Sequence, residues 1–190
     1  MKDKASSMTE CRVLLLPGWL DSDAAHWQSR WERLHGYRRV TQSDWRWPKR
    51  GDWMARLEEV LLSSPAPAVL VAHSLGCHLV AAWAAHSQHT ARVRGALLVA
   101  PPDIERDDLP PNLHPWRPIL RQPLPFAAIA VTSDDDPYSA PERGARLGCE
   151  WGAQQVGIGA AGHINGESGL GDWPAGQALL KILTTPPASR

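Results

Sequence analysis

Six short segments of the chain predict strands, and most of them are continuous apolar runs. They lie at residues 11–16, 37–42, 68–72, 93–100, 126–133 and 153–159. The intervening stretches carry apolar residues at helical spacing and predict helices at residues 24–35, 53–64, 75–87, 140–151 and 173–185. Strands that are apolar on both faces indicate a parallel sheet with helices on both sides. We therefore expect an α/β fold with a doubly wound, mostly parallel sheet.

The connections add detail to this prediction. Ser22 or Asp23 is a candidate N-cap for the first helix, which Gly36 would close, and Asp52 is a candidate N-cap for the second. The proline-rich stretch 101–125 predicts an irregular cap over the sheet. No linker or repeat divides the chain, so we expect one domain over residues 1–190, with a frayed tail at residues 1–10.

Composition excludes several classes of protein. The 190 residues are 43% hydrophobic and 21% charged, with a formal net charge of zero, which is typical of a globular domain and does not favour nucleic acid or an acidic membrane surface. No apolar run approaches the roughly 20 residues of a membrane span, and the N-terminus lacks the apolar core of a signal peptide. The three dispersed cysteines, Cys11, Cys77 and Cys149, indicate free thiols. We expect a soluble cytoplasmic protein.

The join between the third strand and the third helix carries the main chemical motif. Ala72-His73-Ser74-Leu75-Gly76 is a near match to the G-x-S-x-G nucleophile elbow, a sharp turn that exposes the serine hydroxyl above the sheet. Residues two before and two after the serine must be small because strand and helix approach closely there. Alanine replaces the first glycine, and it fits only where its Cβ faces open space.

The elbow also predicts an oxyanion hole. The first amides of a helix point at the serine, and the N–H of Leu75 is the expected first donor. The second donor should come from the loop after the first strand, at Gly18-Trp19-Leu20, where we favour Trp19.

A serine hydroxyl needs a base to accept its proton, and in α/β-hydrolases the chain order is Ser, acid, His. His163 lies in a glycine-rich loop after the last predicted strand, where the base belongs. Residues 134–136 follow the preceding strand and offer three aspartates. We favour Asp136 as the acid because its turn with Pro137 leads straight into the next helix, and Asp135 is the alternative.

Several other residues lie near this predicted site. We expect His73 to shape the pocket, and Trp19, Trp116 and Trp173 to line it from loops on the same side. His26 and Trp27 are expected to be structural, within a helix near the first loop.

The remaining histidines do not predict a metal site. His86 and His89 are three apart on a helix and His73 and His78 flank the elbow, but neither pair comes with a third ligand at metal spacing. The glycine-rich stretch around His163 lacks the G-K-[ST] of a phosphate-binding loop. We expect neither a cofactor nor a metal.

These motifs together resemble the small bacterial α/β-hydrolases grouped with YdeN and with retinoblastoma-binding protein 9. The resemblance extends from about Val13 to Leu183. It is carried by "PGWLDSDAAHWQSRW", "VLVAHSLGC", "LLVAPPD", "SDDDPYS", "GHIN" and "SGLGDWP". It implies the α/β-hydrolase fold, a Ser74–Asp136–His163 triad and no cofactor.

The sequence thus favours a serine hydrolase that cleaves a small-molecule ester through an acyl-enzyme intermediate. Two alternatives remain open at this point. The fold could serve as a weakly catalytic or non-catalytic module that binds a protein partner, or the same triad could act as an amidase or acyltransferase.

Overall fold

The computed structural model describes residues 11–185, and the predicted tail at residues 1–10 lies outside them. Six parallel strands form one sheet in the spatial order β2-β1-β3-β4-β5-β6. The strands are β1 (Arg12–Leu16), β2 (Arg38–Arg39), β3 (Ala68–His73), β4 (Val93–Val99), β5 (Ala127–Thr132) and β6 (Gln154–Gly157). The predicted parallel sheet is therefore confirmed, although β2 is shorter than its sequence suggests.

Five α-helices connect and flank these strands. They are α1 (Trp27–His35), α2 (Arg50–Leu62), α3 (Leu75–His86), α4 (Pro141–Glu150) and α5 (Pro174–Thr184). Within the described residues, no helix has the length and apolar character that crossing a membrane requires.

Two hydrophobic layers sandwich the sheet. Alternate residues of β1 and β3 enter opposite layers: Leu14 and Leu70 face the layer that holds α2, α3 and α4, whereas Leu15 and Val71 face the layer that holds α1 and α5. Because both faces of the central strands are covered, their side chains are almost uniformly apolar, which is why these strands read as continuous hydrophobic runs.

The helix starts differ from the predicted ones. His26, rather than Ser22 or Asp23, caps α1, because its side chain accepts the N–H of Gln28. Asp23 instead accepts the amides of residues 25 and 26, in a turn that precedes the helix. Asp52 lies in the first turn of α2, where a carboxylate favours the positive end of the helix dipole, and Lys49 occupies the N-cap position.

The segment between β4 and β5 has little regular structure, as its prolines predict. One 3-10 helix, Pro111–Trp116, lies within it. Ion pairs tie this segment to α4: Arg143 contacts Asp103 and Glu105 at 3.2 and 2.5 Å. The segment therefore sits at a defined place above the carboxyl end of the sheet.

Candidate active site

Ser74 lies at the sharp turn between β3 and α3. Its backbone angles, φ 54° and ψ −125°, fall in a region that non-glycine residues rarely occupy and that costs about 1–3 kcal/mol. The Ser74 N–H donates to the carbonyl of Val99 at 2.9 Å, and the Ser74 carbonyl accepts the N–H of Cys77 at 2.9 Å. The surrounding strands and helix therefore hold the strained conformation in place.

Two glycines permit the close approaches at this turn. A Cβ on Gly76 would lie 2.3 Å from the carbonyl oxygen of Leu16, and one on Gly18 would lie 2.7 Å from the Cβ of Ser74. Ala72, by contrast, is fully buried in the layer shared with α2 and α3. Its methyl group therefore packs in the core and does not face open space as expected.

The structure brings the predicted hydroxyl, imidazole and carboxylate into one hydrogen-bonded series. The Nε2 atom of His163 lies 2.8 Å from Oγ of Ser74. The Nδ1 atom of His163 lies 3.0 and 2.9 Å from the two carboxylate oxygens of Asp136. Since a carboxylate only accepts, Nδ1 carries the proton of the neutral ring and Nε2 is the bare nitrogen that faces Ser74.

Asp135 does not reach the imidazole. Its Oδ1 accepts the N–H of Gly162 at 2.7 Å and the hydroxyl of Ser133 at 2.8 Å. The Ser133 oxygen in turn accepts the N–H of Ala161 at 2.9 Å. These hydrogen bonds from Gly162 and Ser133 hold the pKa of Asp135 below its ordinary value. Asp135 thus braces the loop that carries His163.

The imidazole–carboxylate pair is shielded from solvent. The exposed fractions of the His163 and Asp136 side chains are 9% and 3%. The ring of Tyr138 packs edge-on against His163 with centroids 4.5 Å apart, and its main-chain N–H donates to Asp136 at 2.9 Å. Low exposure strengthens the interaction between a charged imidazole and the carboxylate.

Leu75 and Trp19 carry the two backbone amides that the sequence predicts as oxyanion donors. Within residues 11–185, neither the N–H of Leu75 nor that of Trp19 has an acceptor. The N–H of Leu20, the neighbouring candidate, donates to the carbonyl of Trp45 at 3.1 Å. The close approach of Gly18 to the Cβ of Ser74 and the N of Leu75 places the start of this loop beside the elbow.

A pocket of about 810 Å³ opens above Ser74. Its walls come from loops that follow β1, β3, β4, β5 and β6, so it lies at the carboxyl end of the sheet. Trp19 and His73 are among the lining residues. The segment after β4 supplies an apolar wall that includes Ile104, Leu109 and Leu113.

Trp116 and Trp173 lie outside this pocket, contrary to expectation. Trp116 is 1% exposed in the α2 and α3 layer, and its indole N–H donates to the carbonyl of Pro48 at 2.8 Å. Trp173 packs against Trp27 and Trp31 in the opposite layer. Large apolar rings gain more from complete burial than from a solvated rim, and that preference places both in the core.

His26, Tyr138 and Arg106 are among the pocket residues that the sequence did not single out as pocket lining. His26 lines the pocket and contacts His73. Tyr138 covers His163, as described above. Arg106 lines the pocket with both guanidinium edges engaged, by Asp108 and by the carbonyl of Pro137. The sequence offers only weak signals for these positions, because their partners are distant in the chain or lie in irregular loops.

The residues that the structure describes include no candidate metal site. No group of three or more histidine, cysteine, aspartate or glutamate side chains is placed there to hold a metal ion.

Comparison with solved structures identifies the fold. A YdeN-like hydrolase from Pectobacterium atrosepticum is 29% identical, over 92% of this chain and 91% of that chain, with a TM-score of 0.81. The ydeN gene product of B. subtilis is 19% identical, over 91% and 98%, with a TM-score of 0.67. The esterase RhEst1 from Rhodococcus sp. ECU1013 is 12% identical, over 94% and 92%, with a TM-score of 0.66. The chain has the α/β-hydrolase fold.

Comparison of the sequence with protein families gives the closer assignment. No curated protein matched significantly. The family described as Serine hydrolase matches residues 13–182, which is nearly the whole described chain. Together with the likeness to YdeN-like hydrolases, this match confirms the resemblance inferred from the motifs, and the chain belongs to the serine hydrolase family.

Proposed function

We propose that this chain is a carboxylic-ester hydrolase that works through an acyl-enzyme intermediate on Ser74. The observation that carries the proposal is the unbroken series Ser74 Oγ–His163 Nε2, 2.8 Å, and His163 Nδ1–Asp136, 2.9 Å. A hydroxyl becomes a nucleophile when a base within hydrogen-bond reach accepts its proton, and the bare Nε2 meets that requirement.

In the first half-reaction His163 takes the Ser74 proton as Oγ attacks the ester carbonyl. The amides of Leu75 and Trp19 stabilise the negative oxygen of the tetrahedral intermediate. Asp136 fixes the imidazole tautomer and stabilises the imidazolium that forms. His163 then gives the proton to the leaving alkoxide, and the acyl group stays on Ser74.

In the second half-reaction water replaces the alcohol. His163 accepts a proton from water as the oxygen attacks the acyl carbonyl, and it returns that proton to Ser74 as the acid departs. The pocket of about 810 Å³, with its apolar wall of Ile104, Leu109 and Leu113, suits an apolar acyl or alcohol group.

The test combines turnover with covalent labelling. Wild-type protein should hydrolyse p-nitrophenyl esters and react with a fluorophosphonate probe, and Ser74→Ala should lose both while keeping its circular dichroism spectrum. Ser87→Ala is the matched control, because Ser87 lies at the opposite end of α3 and bonds Glu58 instead. Labelling that survives Ser74→Ala would exclude Ser74 as the nucleophile.

Substrate class needs a second measurement. A series of p-nitrophenyl esters of increasing acyl length should show a preference set by the apolar wall, and matched anilides should react far more slowly. Faster cleavage of the anilides would contradict the ester assignment. Wild-type protein that folds but neither turns over esters nor takes up the probe would contradict hydrolase activity of this site.

A further inference from the structure

Two buried histidines link the start of α1 to the main chain of His163. The Nε2 atom of His26 lies 3.3 Å from Nδ1 of His73, and Nε2 of His73 lies 2.8 Å from the carbonyl oxygen of His163. The next residue of α1 acts in parallel, because the indole N–H of Trp27 donates to the carbonyl of Ile164 at 2.8 Å. The carbonyls of two consecutive residues, His163 and Ile164, thus both accept hydrogen bonds from side chains, those of His73 at the end of β3 and of Trp27 at the start of α1.

Proton positions along this chain follow from its two ends. The N–H of Gln28 donates to Nδ1 of His26 at 3.1 Å, so the proton of neutral His26 is on Nε2. That proton points at Nδ1 of His73, which must be bare to accept it. The proton of His73 is therefore on Nε2, and it is donated to the His163 carbonyl, which can only accept.

Burial keeps both rings neutral. It lowers the pKa of His26 to about 4 and the pKa of His73 well below its ordinary value. Around His26, the carboxylate of Asp23 opposes this shift and the guanidinium of Arg39 adds to it. A second proton on either ring would also set a donor against a donor, so hydrogen bonding and burial favour the same state.

We propose that His26, Trp27 and His73 are positioning residues that hold the main chain of His163 and Ile164, and through it the imidazole, at its distance from Ser74. Ile164 has a positive φ of 49°, which an isolated loop would relax. Asp135 accepts the N–H of Gly162, the residue before His163. The loop that carries His163 is therefore held by Asp135 on one side and by His73 and Trp27 on the other.

This inference rests on the proposed function, because positioning matters only if His163 is the base. Displacement of a catalytic group by about 1 Å costs on the order of 10²-fold in rate. Loss of the hydrogen bonds to the His163 and Ile164 carbonyls should therefore lower kcat. Trp27 is not among the residues that line the pocket, so Trp27→Phe should lower kcat and leave KM nearly unchanged.

The mutational test compares His73→Leu, which removes the donor, with His73→Gln, which keeps an N–H near the position of Nε2. Turnover of a p-nitrophenyl ester, corrected for the folded fraction, should fall about 10²-fold in His73→Leu and less than about 10-fold in His73→Gln. Trp27→Phe, which loses the indole N–H together with part of the buried ring, should give a smaller fall in kcat once corrected for the folded fraction. If His73→Leu does not fold, His73→Gln and Trp27→Phe still test the role of the hydrogen bonds to the His163 and Ile164 carbonyls. A wild-type kcat in Trp27→Phe would overturn the proposal.

His78→Gln is the control for loss of a buried histidine. His78 also donates from Nε2 to a main-chain carbonyl, that of Pro102 at 2.7 Å, but its ring packs on Trp151. This variant should lose stability and keep the wild-type kcat. A wild-type kcat in folded His73→Leu would show that His73 serves stability alone and would overturn the proposal.

A spectroscopic measurement tests the chain without reference to activity. Nitrogen-15 spectra of the histidine rings at neutral pH should show the Nε2–H tautomer for both His26 and His73. An Nδ1–H tautomer at His73 would overturn the proposal even if the enzyme is active. Absence of Ser74 labelling in wild-type protein would instead defeat the proposed function, and the two failures are therefore distinguishable.

Discussion

Asp135 and Asp136 are neighbours in the chain but hold different parts of the same loop. Asp135 accepts the main-chain N–H of Gly162, 2.7 Å away, whereas Asp136 accepts the side-chain N–H of His163, 2.9 Å away. One carboxylate therefore places the backbone that leads to the imidazole, and the other orients the ring itself.

This division predicts different effects for the two amide variants. Asp136→Asn presents an amide to Nδ1 and favours the wrong tautomer, so kcat should fall about 10³- to 10⁴-fold. Asp135→Asn keeps an acceptor oxygen for Gly162 and should reduce kcat less than about 10-fold. Steady-state kinetics on a p-nitrophenyl ester distinguish them, and the reverse ranking would make Asp135 the acid.

Gly18 should tolerate no side chain. A Cβ there would lie 2.7 Å from the Cβ of Ser74 and 3.2 Å from the N of Leu75, so Gly18→Ala would push the Trp19 amide away from the oxyanion. Loss of one such donor costs about 10²- to 10³-fold in kcat. Gly51→Ala is the control, because nothing lies within 4 Å of a Cβ on Gly51 in α2. Equal kcat in both variants would contradict the oxyanion role.

Activity should decrease in acid. His163 can accept the Ser74 proton only while Nε2 is bare, and protonation of the ring in acid removes that acceptor. The rate of fluorophosphonate labelling should therefore fall as the pH is lowered and reach a plateau at higher pH. A labelling rate that is the same at acidic and neutral pH would count against His163 as the base.

Stability should also decrease in acid, for a separate reason. Burial lowers the pKa of both His26 and His78 to about 4, whereas an imidazole in the unfolded chain titrates near 6.5. Between about pH 6.5 and pH 4 the unfolded state binds more protons, so the free energy of unfolding falls as pH falls. Each such histidine contributes about 1 kcal/mol per pH unit to that slope.

Urea unfolding at several pH values measures this slope. His78→Gln removes one titrating group whose pKa burial lowers to about 4, and it should therefore make the pH dependence shallower. An unaltered slope in His78→Gln would show that His78 is not neutral in the folded protein. Since folding is monitored directly, this result is independent of catalysis.

Much of the site could be predicted from the sequence, because the strands are recognised from local apolar runs and the reactive residues from their order along the chain. Strands buried on both faces are continuous apolar runs, and the carboxyl ends of parallel strands meet at one edge of the sheet. Ser74 and His163 follow β3 and β6, so their meeting was expected once the sheet was inferred. The choice between Asp135 and Asp136 was not readable in the same way, because adjacent loop residues differ only in the directions of their side chains.

The sequence by itself determined the parallel sheet, the strand after which each reactive group falls and the family, since these follow from periodicity, chain order and motif spacing. Only the tertiary structure decided which carboxylate meets His163, that Trp116 and Trp173 are core residues, and that His26 reaches His73, 47 positions away. Those outcomes depend on how helices and loops pack across the sheet. Contacts between distant segments produce no repeating pattern of residues from which they could be predicted.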